Sequence, residues 1–128
     1  MPCALHLAVL LAGVAIVTGC VRGNGLPPSP AEVYQNSDPA AIRRGRLLFT
    51  GTCGGYCHST KPGNREAPYL FDCSWTYGGS DREIFASIAD GFPDTRMPAW
   101  GGKMPEGDAD IWRVIAYLRS RRSCVNAD

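Results

Sequence analysis

The chain has 128 residues, and its 13 Lys and Arg nearly balance 12 Asp and Glu, leaving a formal net charge of +1. That length supports one small domain rather than two, and the even balance excludes the basic footprint of a nucleic-acid binder. A hydrophobic content of 45% excludes a chain too polar to bury a core.

Residues Ala4 to Gly19 form an apolar run that is short for a membrane span and lies at the very start, so residues 1–19 read as an export signal. Its end, Val17-Thr18-Gly19-Cys20, resembles the bacterial lipoprotein signal, in which the Cys becomes the lipidated N-terminus after cleavage. Ordinary cleavage nearby, giving a soluble protein, is the alternative. Either route places the chain outside the cytoplasm, where disulfides persist. From Val21 to Pro39 the sequence is rich in Gly, Pro, Ser and Asn without an apolar period. Residues 20–39 are therefore expected to be a flexible tether and residues 40–128 the folded domain.

Asp38-Pro39 opens the first predicted helix, with an acidic cap, Pro in its first turn and Ile42, Leu47, Leu48 and Phe49 on one side. It is expected to end at Gly51. Next comes Cys53-Gly54-Gly55-Tyr56-Cys57-His58. The signature for attaching c-type haem is Cys-x-x-Cys-His, with both thiols bonded to the haem and the His bound to its iron. Here three residues separate the cysteines. Glycine tolerates unusual backbone conformations, so a bulged loop at Gly54 and Gly55 is expected to bring Cys53 into register. Competing readings are a dithiol redox motif, a zinc site lacking its usual fourth ligand, and a plain disulfide that leaves His58 idle. The expanded haem motif is the reading adopted.

Ser80-Asp81-Arg82-Glu83 forms a capping box, and Ile84, Phe85, Ile88 and Ala89 give a short helix closed by Gly91 and Pro93. The last helix is predicted from about Gly107 to Ser120, with Asp108 and Asp110 near its N-terminus and Arg119 and Arg121 near its C-terminus. Its buried stripe is Ile111, Trp112, Ile115, Tyr117 and Leu118. No strand pattern rivals these helices, so the fold class is all-α, wrapped on one covalent haem that completes a modest core. Arg43, Arg44, Arg46, Arg119, Arg121 and Arg122 read as solvated helix faces and ends, with a docking patch as the alternative. With Cys3 in the signal, Cys20 assigned to lipid and Cys53 and Cys57 to haem, Cys73 and Cys124 remain and are expected to pair, stapling the C-terminal tail to the loop after the haem motif.

Across roughly residues 40 to 120 the chain resembles the class I cytochrome c family, matching in order the helix with Gly45 and Phe49, the thiol and His motif, a Pro loop, a Met-Pro loop and an aromatic C-terminal helix. The resemblance implies a close helix crossing at Gly45, with Phe49 against Trp112 or Tyr117. It implies His58 as proximal iron ligand and the carbonyl of Pro68, in Ala67-Pro68-Tyr69-Leu70, as acceptor for its second ring nitrogen. Met97, in Met97-Pro98-Ala99-Trp100-Gly101, matches the distal ligand; Met104, also followed by Pro, competes. Trp75, Tyr77 and Trp100 are candidates to line the haem or bond its propionates, with core packing an equal reading. Filled axial positions imply a periplasmic one-electron carrier, not an enzyme. The contexts Asp72-Cys73-Ser74-Trp75 and Met97-Pro98-Ala99-Trp100 are similar to small cytochromes associated with PQQ-dependent alcohol or methanol dehydrogenases. That implies a quinoprotein dehydrogenase as donor and a cytochrome or terminal oxidase as acceptor. The rival classes are a haem enzyme or gas sensor with an open or labile axial position, and a zinc or dithiol module with no haem.

Overall fold

The structure, a computed structural model, describes residues 25–63 and 67–124. The predicted signal and Cys20 lie outside the described residues, as does the tether up to residue 24. Among the described residues there is no strand; the elements are α1 (Pro30–Ser37), α2 (Pro39–Leu48), a π-helical turn (Phe49–Cys53), α3 (Asp81–Asp90) and α4 (Asp108–Arg121).

The first departure from expectation is α1, which occupies part of the supposed tether. Ser29 caps it, accepting the Glu32 N–H at 3.0 Å, and Pro30 supplies the first helical residue. The helix docks because Ala31 is small enough to be fully buried in the core. Ser29 also donates to the Asp81 carboxylate at the start of α3. The folded body thus begins near Ser29 rather than at residue 40. Asp38 then serves two helices at once. Its N–H closes α1 on the Tyr34 carbonyl, and its carboxylate accepts the Ala40 and Ala41 N–H groups at 2.9 and 3.0 Å to open α2.

Helices α2 and α4 cross at Gly45, where a Cβ would lie 1.9 Å from the Arg113 carbonyl oxygen. Only glycine permits that approach. Below the crossing, the rings of Phe49, Phe71 and Tyr117 meet pairwise at 5.3 to 5.7 Å. Phe49 therefore meets Tyr117, whereas Trp112 stacks on Phe85 of α3 at 4.3 Å. Ile111, Val114, Ile115 and Leu118 complete the buried face of α4.

Two arginines expected in solvent are instead engaged. Arg44 grips the fully buried Asp110 through Nε at 2.6 Å and Nη2 at 2.8 Å, and Arg113 adds a third bond at 2.6 Å. The Glu106 N–H, at 2.9 Å, completes the carboxylate's shell. These bonds, Arg44 foremost, hold the Asp110 carboxyl well below the usual carboxylate range despite its burial. Arg119 pairs with Asp81 at 2.7 Å and also donates to the Gly79 carbonyl, tying α4 to α3. Sequence periodicity could not reveal either pair, because the partners lie on separate helices.

Candidate functional site

The predicted first helix does not stop at Gly51. It widens into the π turn, in which Gly54 N–H bonds the Phe49 carbonyl five residues back at 2.6 Å; beyond it the Cys53 carbonyl accepts from Cys57 N–H, four residues on, at 3.3 Å and from His58 N–H, five on, at 2.9 Å. A turn closed five residues back holds one residue more than an α turn. The extra residue between Cys53 and Cys57 is absorbed in this way. Neither Gly54 nor Gly55 has positive φ, so the chain passes through the expanded motif without left-handed backbone. Gly54 is needed for space, because a Cβ there would press on the Phe49 ring at 3.1 Å.

The motif opens onto a cavity of about 1170 Å³ whose lining includes Cys53, Cys57, His58, Pro68, Trp75 and Met97. Leu70, Ile84, Ile88 and Leu118 supply apolar wall. Cys53 and Cys57 are unbonded to each other. Burial, with the adjacent Cys57 adding to it, pushes the Cys53 thiol up to about 11, so it stays neutral in the free polypeptide. Cys73 and Cys124 are the pair that is joined, with their Cα atoms 5.2 Å apart. Among the described residues, no cluster of three or more His, Cys, Asp or Glu side chains comes together to hold a metal.

His58 is buried, and its Nδ1 lies 2.8 Å from the Pro68 carbonyl oxygen. A carbonyl only accepts, so Nδ1 carries the proton and donates it. Nε2 is then left with its lone pair and a fixed ring orientation.

Met97 lines the same cavity; Met104 does not, being buried in the helical core. The Met97 loop is fastened to the end of α3. Phe92 N–H bonds the Met97 carbonyl at 3.1 Å, Trp100 N–H the Ile88 carbonyl at 3.0 Å, and Gly101 N–H the Ala89 carbonyl at 2.9 Å. The last two satisfy carbonyls that the end of α3 otherwise leaves open. Gly91, at φ 64°, lets the loop pass so closely that a Cβ would lie 2.6 Å from Ala99 N and Pro98 C. Sequence reasoning gave Gly91 only the closing of α3, although a helix-ending Gly shortly before Met-Pro was a usable signal.

Trp75, Tyr77 and Trp100 all line the cavity. Tyr77 is largely exposed and its ring lies tilted against Phe92, centroids 4.6 Å apart. Trp75 stands apart, because its buried Nε1–H has no acceptor among the described residues. The Arg119 guanidinium lies 5.7 Å from the Trp75 ring, and its Nη1 is likewise buried without an acceptor among them.

Residues 40–118 match the family described as cytochrome C oxidase, cbb3-type, subunit III. The chain belongs to that family. As a cytochrome c domain it carries haem c, covalently bound, with its iron. A curated relative, the cbb3-type cytochrome c oxidase subunit FixP of Sinorhizobium medicae, is 27% identical over 121 residues, a match spanning 80% of this chain. That match covers only 40% of FixP, so this domain corresponds to less than half of its relative. Among solved structures, cytochrome cL from Methylophaga aminisulfidivorans superposes with a TM-score of 0.62 at 23% identity, covering 81% of this chain and 73% of that one. Cytochrome cL from Hyphomicrobium denitrificans gives 0.61 at 24% identity, covering 79% and 56%. The fold is therefore that of a small class I cytochrome c. The cavity suits the haem that this family carries. It combines apolar walls, two unpaired thiols, an imidazole with one free nitrogen, a thioether, and in Trp75 Nε1–H an unpartnered donor suited to an anionic edge.

Proposed function

We propose that this domain is a one-electron carrier in which Cys53 and Cys57 form the thioether links, His58 Nε2 is the proximal iron ligand and Met97 sulfur the distal one. The observation that carries the reading is the 2.8 Å bond from His58 Nδ1–H to the Pro68 carbonyl. It fixes the tautomer that offers Nε2 to a metal within a cavity that two thiols and a thioether also line. Haem held between His and Met supplies a reversible one-electron centre of raised potential. The protein's part is to hold both side chains still. Pro68 orients the imidazole, and the backbone bonds from loop 92–101 to α3 keep the thioether in place as charge changes. Were His58 and Met97 both to bind the iron, no open site would remain for a substrate, which favours a carrier over a catalyst.

Trp75 Nε1–H is assigned to the anionic edge of the group, since it is buried and otherwise unpartnered. The donor is proposed to be a quinoprotein dehydrogenase, on the motif similarity given above. The acceptor is proposed to be another cytochrome or a terminal oxidase, FixP being by its name a subunit of such an oxidase. Both partners would meet the cavity mouth through small, short-lived interfaces. The proposed location is the periplasm, with a lipid on Cys20 as anchor. Absorption spectra of ferric Met97→Ala and Met104→Ala proteins test the ligand set. The weak long-wavelength band given by Met sulfur on ferric haem is expected to vanish in the first and persist in the second. The reverse pattern would transfer the role to Met104.

A further inference from the structure

The Cys73–Cys124 disulfide lies outside the haem cavity, and its surroundings are those of a reactive bond. Both cysteines are exposed. The Arg122 side chain reaches back over them, with Nε 3.1 Å from Cys73 Sγ and 3.0 Å from Cys124 Sγ. A structural staple needs no cation beside its sulfurs. A guanidinium there stabilises thiolate charge, which makes either sulfur a better leaving group and favours the reduced form. Exposed disulfides are also the labile ones as a class.

We propose that Cys73–Cys124 is a thiol–disulfide exchange site, activated by Arg122 and reduced by a dithiol. One thiolate of the dithiol attacks Cys73 or Cys124, breaking the disulfide and forming a mixed disulfide, while the other cysteine leaves as a thiolate beside Arg122. The second thiol of the reductant, as its thiolate, then attacks the mixed disulfide and releases the remaining cysteine. Overall the dithiol loses two electrons and two protons, and Cys73 and Cys124 gain both. Reduction opens a closure 51 residues long. Locally, the 2.8 Å bond from Ser123 N–H to the Phe71 carbonyl is left to hold the tail to the loop. That loop carries Ser74, Trp75 and Tyr77 in the cavity wall, so the thiol state is felt at the haem.

The test uses full-length holoprotein with its haem already reduced by ascorbate, so that dithiol electrons reach only the disulfide. The protein is equilibrated without oxygen in a series of reduced-to-oxidised dithiothreitol ratios, alkylated, and weighed for alkyl groups gained. Arg122→Gln is expected to need about a tenfold higher ratio for half-reduction, equivalent to about 30 mV. Arg122→Lys should recover much of the difference, and Arg121→Gln, equal in charge change, should titrate with the wild type. Arg122→Gln titrating with the wild type would overturn the activation. A haem absorption spectrum unchanged on reducing the disulfide would overturn the link to the cavity.

Discussion

Gly45 and Asp110 secure one helix crossing by opposite means, absence of a side chain and saturation of one. Because a Cβ at Gly45 would sit 1.9 Å from the Arg113 carbonyl, Gly45→Ala must push α2 from α4. It is expected to cost about 3 kcal/mol in denaturant unfolding; a loss within experimental error would mean the helices part freely. Asp110 is ionised in the fold at pH values where the unfolded chain would protonate it. Its depressed folded pKa gives stability that is fully present above the unfolded value, about 3.9, and is lost as pH falls below that toward the folded value. Asp110→Asn should lower stability at neutral pH by about 2 kcal/mol and lose less on acidification than the wild type. Equal acid sensitivity in both would contradict the assignment. At this scale the motif residues were legible because the thiols and imidazole are adjacent in sequence. Asp110 was not, since a carboxylate in a first helical turn looks like a response to the helix dipole until Arg44, 66 residues away, is found upon it.

Among the elements, α3, α4 and the start of α2 follow from their caps and apolar spacing, and the capping box of Ser80 and Glu83 forms with both of its bonds. Two features escaped. Helix α1 has no apolar stripe to announce it; Ser29 and Pro30 start it, and the buried methyl of Ala31 with the Tyr34 ring docks it on the core. The π turn has no propensity signal of its own. It ends where the expanded motif begins, and the bond from His58 N–H to the Cys53 carbonyl five residues back continues the widening into that motif. The coupling between α3 and the Met97 loop gives a prediction at this scale. Gly91→Ala places a methyl 2.6 Å from the Pro98 and Ala99 backbone and strains a φ of 64°. The variant is expected to keep covalent haem and lose the ferric Met band, the same outcome expected of Met97→Ala. Retention of that band would show that the loop is positioned by something other than α3.

For the molecule as a whole, a cavity of about 1170 Å³ in so small a domain leaves the helices with little to pack on unless it is filled. Replacing both Cys53 and Cys57 by Ser should therefore remove the sharp, cooperative thermal transition along with the haem. A haem-free variant melting as sharply as the holoprotein would show that the helical core suffices alone. The disulfide contributes separately. Cys73→Ser with Cys124→Ser is expected to lower stability by roughly 3 to 4 kcal/mol, the entropy of the loop it closes. The central claim is that Cys53 and Cys57 hold one haem covalently in this cavity. The most direct measurement is the denatured mass of the full-length protein, exported and matured with haem attachment intact, beside the Cys53→Ser, Cys57→Ser double variant. The mass of one haem is expected on the first and none on the second. A denatured wild-type mass without haem, or haem retained by the double variant, would contradict it.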